Sequence, residues 1–214
     1  MNRISILIVD DHAIVRKGLK ELLKEEQPDI IVEEAADAES AIKKVMDKKP
    51  DLVICDLNMP GRNGIDALKQ IKQISPGLPV LIMSMYPEDQ YALRVLKAGA
   101  SGYLGKGSIH EELIRAIQTV LQGKKYITPA VTAKIVDAFH SDGGNSPSFS
   151  HETLSDREFH VFGLLASGRS VSKIATQLSL SSSTVSTYRS RILEKMNLRS
   201  NSDLTRYALE RNLI

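Results

Sequence analysis

The chain has 214 residues, 42% hydrophobic and 25% charged, with a formal net charge of +2, which at roughly 100–200 residues per domain means one large or two small domains. Its 13 Gly and 8 Pro are too few for a low-complexity chain, and the single Cys55 excludes an intramolecular disulfide framework. No apolar run approaches the roughly 20 residues that span a bilayer, and the opening Met-Asn-Arg-Ile-Ser-Ile-Leu-Ile-Val-Asp reaches a carboxylate too early for a cleavable signal peptide, so a soluble, cytoplasmic protein with no membrane partner is expected.

In chain order, short apolar runs alternate with amphipathic stretches over residues 1–122. The runs are Ile4–Val9, Ile30–Glu34, Leu52–Cys55, Val80–Ser84 and Gly102–Leu104. Their brevity, β-branched content and Pro or Gly boundaries predict buried strands. Between them, Leu19, Leu22 and Leu23, then Ala41, Ile42 and Val45, then Ile65, Leu68 and Ile71, then Ala92, Val95 and Leu96 keep helical spacing. Ser108-x-x-Glu111 reads as a capping box opening the last helix, with Leu113, Ile114, Ile117 and Leu121 on its apolar face. Five strands alternating with five helices predict an α/β fold with a parallel five-stranded sheet covered on both faces. Such sheets bind ligands at the carboxyl ends of their strands.

A short helix follows from about Pro129 to Phe139, and the polar run Ser141–Ser150 reads as a flexible tether. The remainder carries only helix signals. Ser155-x-x-Glu158 is a capping box, Gly168 stops that helix, Ser170 opens a second, Ser181–Ser183 cap a third, and Ser200-x-x-Asp203 opens a fourth. The predicted division is 1–124, a linker with a short helix over 125–150, and an all-α four-helix unit over 151–214.

Chemistry concentrates at the predicted strand ends. Asp10 and Asp11 close the first strand and Asp56 the third, so neighbouring tips bring three carboxylates together. They repel unless a cation joins them, and Mg²⁺ suits an oxygen set that also serves phosphate oxygens. Ser84 offers a hydroxyl at the fourth tip, and Lys106 a compact positive charge after the fifth.

The pattern Asp10-Asp11, Asp56-x-x-Met59-Pro60-Gly61-x-x-Gly64, Ser84 and Gly102-Tyr103-Leu104-x-Lys106 resembles the receiver domain of two-component response regulators. The resemblance implies a flavodoxin-like (βα)5 fold and a phosphoryl group accepted by Asp56 from a sensor histidine kinase. It implies Mg²⁺ held by Asp10, Asp11, Asp56 and the main-chain carbonyl of Asn58, and a switch pair of Ser84 and Tyr103. On phosphorylation Ser84 is expected to move toward the phosphate and Tyr103 to rotate into the vacated space. Asn58 and Tyr86 would flank the acyl phosphate. Such a protein is not an enzyme beyond its own phosphorylation and autodephosphorylation. A phosphohydrolase reading is weakened because Asn58, not a carboxylate, stands two residues after Asp56.

Residues 1–128 carry 18 basic and 18 acidic side chains, whereas Arg169, Lys173, Arg189, Arg191, Lys195 and Arg199 face only Glu194 over 169–199. That span suits a phosphate-backbone surface. Along a helix from 183 to 196, Val185, Ile192 and Met196 share one stripe, leaving Ser183, Ser186, Thr187, Ser190 and Arg191 opposite. Short hydroxylic side chains let a helix approach the major groove closely. Leu154-Ser-Asp-Arg157-Glu158, Gly168-x-Ser170, Ile174-Ala175-x-x-Leu178, Ser181-x-x-Thr184-Val185 and Lys195-Met196 resemble the LuxR-type helix-turn-helix, and with the receiver pattern the chain is similar to the NarL/FixJ class. The resemblance implies base contacts from Ser186, Thr187 and Ser190. Phosphate contacts are implied from Arg189, Arg191 and Lys195, aided by Ser170, Ser181 and Thr184. The partners expected are an operator duplex, a second copy of the chain on phosphorylation, and RNA polymerase.

Overall fold

The computed structural model describes residues 3–59, 63–107, 109–141, 150–211 and 213–214. The chain forms two compact units, Met1–Val136 and Asp137–Ile214.

In the first unit, strands β1 (Ser5–Val9), β2 (Ile31–Ala35), β3 (Leu52–Asp56), β4 (Val80–Ser84) and β5 (Gly102–Gly105) alternate with helices α1 (Ala13–Glu26), α2 (Ala38–Lys48), α3 (Gly64–Ile74), α4 (Glu88–Lys97) and α5 (Ile109–Leu121). The strands form one parallel sheet in the order β2-β1-β3-β4-β5. Each predicted strand is present, with ends displaced by at most a residue; β1 closes at Val9, so Asp10 and Asp11 follow it rather than end it. Every residue of β3 is buried, as a central parallel strand requires. Ile6, Ile8 and Ile54 pack with Leu19 and Leu23 of α1 and Leu113 and Ile117 of α5. Alternate residues Leu7, Val9 and Val53 are buried as well, as are Ile42 and Val45 of α2, Leu68 and Ile71 of α3 and Val95 of α4. The strand order reverses between β1 and β3, so their carboxyl ends mark the switch point where such sheets hold ligands. The capping serine Ser108 and the tether residues 142–149 lie outside the described residues.

The predicted linker is structured at its start. Tyr126 pairs with Gly102, its N–H donating to the Ser101 carbonyl at 2.8 Å. Lys125 donates to the Ala100 carbonyl, and Thr128 donates to Glu88 at the start of α4. Helix α6 (Pro129–Ser141) begins with Val131 buried, and the boundary between the two units falls within it, inside the stretch 125–150. The Tyr126 and Lys125 bonds satisfy main-chain carbonyls just ahead of the edge strand β5 that a free linker would leave open.

The second unit consists of a short 3₁₀ turn (His151–Thr153) and helices α7 (Asp156–Ala166), α8 (Val171–Gln177), α9 (Ser182–Lys195) and α10 (Asn201–Glu210). Each predicted cap is present: Ser155, Ser170, Ser181 and Ser200 accept from main-chain N–H groups of Glu158, Lys173, Thr184 and Asp203. The Ser155–Glu158 and Ser200–Asp203 capping boxes are both reciprocal. Gly168 takes φ +79°, the left-handed conformation that ends α7. Phe159, Phe162, Leu165, Ile174, Val185, Ile192 and Leu204 form the core. Among the described residues, no helix is long and apolar enough to cross a membrane.

Candidate functional site

The acidic cluster assembles as the strand ends require. Asp10 follows β1, Asp56 closes β3, and their carboxylates are bridged by Lys106 from the end of β5, whose Nζ lies 2.7 Å from Asp10 Oδ2 and 3.1 Å from Asp56 Oδ2. Lys106 itself is placed by its N–H, which donates to the Ser84 carbonyl at 2.7 Å. Asp10 and Asp56 are buried, so their attraction to the lysine acts at reduced dielectric. Burial pushes the Asp56 carboxyl up to about 6 and Asp10 adds to that, while Lys106 and the Asn58 N–H pull it down. Burial opposes the charge on Lys106, yet its hydrogen bond to Asp10 and the charge of Asp56 prevail and hold its ammonium above the usual range.

Asp11 Oδ1, Asp56 Oδ1 and Asn58 Oδ1 are buried without hydrogen-bond partners. The carboxylate oxygens of Asp11 and Asp56 that make no hydrogen bond are the kind of donor a hard divalent cation takes, and Mg²⁺ fits these residues. One member of the cluster was given no role by sequence. His12 Nδ1 lies 3.1 Å from Asp10 Oδ1 and 2.9 Å from Asp11 Oδ1, although its side chain is otherwise exposed. His12, Asp10, Asp11 and Asp56 can bring one ligand atom each to within 4.8 Å of one another. Its adjacency to the Asp pair was the available signal. Pro60 and Gly61 of the matching pattern lie outside the described residues.

Gly64 explains the spacing after Asp56. A Cβ there would stand 2.2 Å from the Asp56 carbonyl oxygen and 2.8 Å from Leu57 Cα, so only glycine allows α3 to start against the tip of β3. Ser84 is buried, its Oγ accepting from the Tyr86 N–H at 3.1 Å. Tyr103 is 2% exposed, and its hydroxyl donates to the Tyr86 carbonyl at 2.7 Å. Tyr86 stacks on Tyr91 with ring centroids 4.8 Å apart. Tyr103 thus occupies an interior position in this structure. Its hydrogen bond satisfies the phenol there, and burial raises its pKa.

In the second unit, Val185, Ile192 and Met196 are buried along one stripe of α9, while Ser183, Ser186, Thr187, Ser190 and Arg191 are exposed. Ser181, Ser183 and Thr184 join hydroxyls at 2.7 Å around the start of α9. Thr187 Oγ1 donates to the Ser183 carbonyl, and Arg189 Nε donates to Asn201 Oδ1 at 2.6 Å. Lys195, like Arg189, has a side-chain partner within the unit, but its partner is charged. Its Nζ donates to Glu158 Oε2 at 2.6 Å, and Glu158 is almost fully buried on α7.

Residues 6–118 match the response regulator receiver domain, and residues 152–208 match the bacterial regulatory proteins of the luxR family. The chain belongs to this class: it is a two-component response regulator whose LuxR-type unit is a DNA-binding domain, of the NarL/FixJ type. Among its relatives is the oxygen regulatory protein NreC of Staphylococcus carnosus, 38% identical over 98% of each chain. The response regulator GacA of Pseudomonas aeruginosa is 33% identical over 99% of this chain and 98% of its own. Among solved structures, RcsB from Salmonella enterica serovar Typhimurium, bound to promoter P1flhDC with the phosphomimetic BeF3⁻, is 26% identical, with a TM-score of 0.59 over 96% of this chain and 98% of its own.

Proposed function

We propose that Asp56 accepts a phosphoryl group from the phosphohistidine of a sensor histidine kinase, and that this modification controls dimerisation and operator binding. The observation that carries the reading is Lys106 bridging Asp10 and Asp56 while Asp56 Oδ1 stays unpartnered. That oxygen attacks phosphorus, the phosphorus–nitrogen bond of the donor breaks, and its electron pair remains on the histidine ring. Asp10, Asp11, Asp56 and Asn58 would hold Mg²⁺, which when bound offsets charge on the phosphoryl oxygens. Lys106 is already placed to follow the charge that leaves the Asp56 carboxylate, and Ser84 offers its hydroxyl to a phosphoryl oxygen. The chain is a phosphoryl acceptor, not an enzyme acting on other molecules.

The added group carries roughly −1.5 to −2 charge by analogy with other phosphorylations. Its effect passes to Ser84, then to the Tyr86 main chain and Tyr103. Phosphorylation thereby favours a homodimer that offers two copies of α9 to half-sites roughly one helical turn apart. Ser183, Ser186, Thr187 and Ser190 face base edges, and Arg189 and Arg191 face phosphates. The regulator acts in the cytoplasm on chromosomal DNA and on RNA polymerase there. The RcsB relative bound to a promoter with a phosphomimetic supports this reading.

Incubation with acetyl phosphate and Mg²⁺, followed by intact mass and gel filtration, tests the proposal. One added phosphoryl group and a dimer are expected, both lost in Asp56→Asn; a mass gain that survives this substitution contradicts it.

A further inference from the structure

Asp10 is tied at every polar main-chain and side-chain group. Its N–H donates to the Ala35 carbonyl at 3.2 Å, its Oδ1 accepts from the His12 N–H at 2.8 Å, and its Oδ2 accepts from Lys106. The remaining group, its carbonyl, accepts from Arg16 Nη1 at 2.6 Å. Arg16 comes from the second turn of α1, outside the cluster. Its Nε lies 3.4 Å from Glu34 Oε2 on β2, as an ion pair without hydrogen-bond geometry, and Lys20 Nζ holds the other Glu34 oxygen at 2.9 Å. The Lys20 hydrogen bond keeps the Glu34 carboxyl below its ordinary range, although burial opposes it, so this anchor remains an anion at neutral pH.

The carbonyl that Arg16 holds belongs to the peptide unit joining Asp10 to Asp11. That unit is planar, so fixing its oxygen fixes the direction in which the chain leaves Asp10 and where Asp11 begins. Asp11 carries a buried carboxylate oxygen, Oδ1, that makes no hydrogen bond and faces the His12 ring nitrogen at 2.9 Å. We infer that Arg16 is a positioning residue: it sets the Mg²⁺ affinity of the cluster by clamping the Asp10–Asp11 peptide against Glu34. This rests on the Mg²⁺ reading given above. A planar guanidinium can reach the carbonyl and Glu34 together, whereas a lysine ammonium is a single point that serves one of them. Groups that orient metal ligands without touching the metal change affinity about 10–100-fold when removed.

Isothermal titration of MgCl2 into the full chain tests the clamp. Arg16→Ala is expected to weaken binding about 10-fold, Arg16→Lys to recover part of the loss, and Glu34→Gln to lose less than Arg16→Ala. The rate of phosphorylation by acetyl phosphate should return to the parent value at saturating Mg²⁺, with the melting temperature in EDTA little changed; neither follows from a general loosening of the fold. Unchanged Mg²⁺ affinity in Arg16→Ala overturns the inference. Should that variant not fold, unchanged affinity in both Arg16→Lys and Glu34→Gln overturns it equally. A parent chain that takes up no Mg²⁺ overturns the underlying cation reading and the clamp with it.

Discussion

Lys195 Nζ and Glu158 Oε2 stand 2.6 Å apart, joining the end of α9 to the first turn of α7. The same Glu158 carboxylate also accepts from the Ser155 N–H at 2.8 Å, closing the capping box. A side chain that sequence assigns to the DNA backbone is thus engaged in holding α9 to α7. Lys195→Met should lower stability of the second unit by about 2 kcal/mol, between the values for exposed and buried pairs. Calorimetry of the full chain checks this, and a double-mutant cycle with Glu158→Gln should recover a coupling above about 0.5 kcal/mol.

Arg191, exposed on α9, should behave oppositely. Arg191→Ala should leave the melting temperature unchanged and flatten the dependence of log affinity on log salt by about one unit, as expected for one lost phosphate contact. Lys195→Met should leave that slope nearly intact. Duplex titrations at several salt concentrations separate the two cases.

The second unit should be acid-sensitive. His160 is buried on α7, and desolvation, with the Arg157 charge adding, lowers its pKa from 6.5 to about 4. A depressed histidine favours the fold fully above the unfolded value. That stability is lost as pH falls from about 6.5 toward 4, by about 3 kcal/mol in all. Burial raises the Glu158 carboxyl, but hydrogen bonds from Lys195 and Ser155 outweigh it and leave its pKa below the ordinary value. Its contribution is therefore present above about pH 4.5 and lost below it. His160→Gln should flatten unfolding free energy between pH 6.5 and 4 while leaving the Glu158 loss at lower pH.

Gly64→Ala should damage the acceptor site more than its small size suggests. The new Cβ meets the Asp56 carbonyl at 2.2 Å, main chain that cannot yield without moving Asp56 itself. A loss of about 1–3 kcal/mol is expected, together with slower phosphorylation by acetyl phosphate at saturating Mg²⁺. A phosphorylation rate equal to the parent would show that the tip of β3 tolerates the shift.

The sequence was most legible where signals are local. Strand runs such as Val80–Ser84 and caps such as Ser155-x-x-Glu158 carry their own pattern, and the N-caps of α7, α8, α9 and α10 fall where spacing predicts. The acidic tip was legible because parallel strands bring their ends to one edge, so Asp10, Asp56 and Lys106 needed only strand assignments to converge. What stayed hidden depends on distance in the chain. Nothing near Lys195 marks a partner 37 residues away, and Tyr126 pairs with Gly102 without any strand-like run around it. An aromatic at a switch position says nothing of its rotamer, and the Tyr86 carbonyl that accepts from Tyr103 here is visible only in the fold.

The central claim is that a phosphoryl group on Asp56 governs how the α9 surface binds a duplex. Affinity for operator fragments, measured with and without acetyl phosphate and Mg²⁺ on the parent chain and on Asp56→Asn, tests it most directly. The account predicts tighter binding on phosphorylation of the parent and no response in the variant. Equal affinity in both states of the parent, with the phosphoryl group verified by mass, would contradict it.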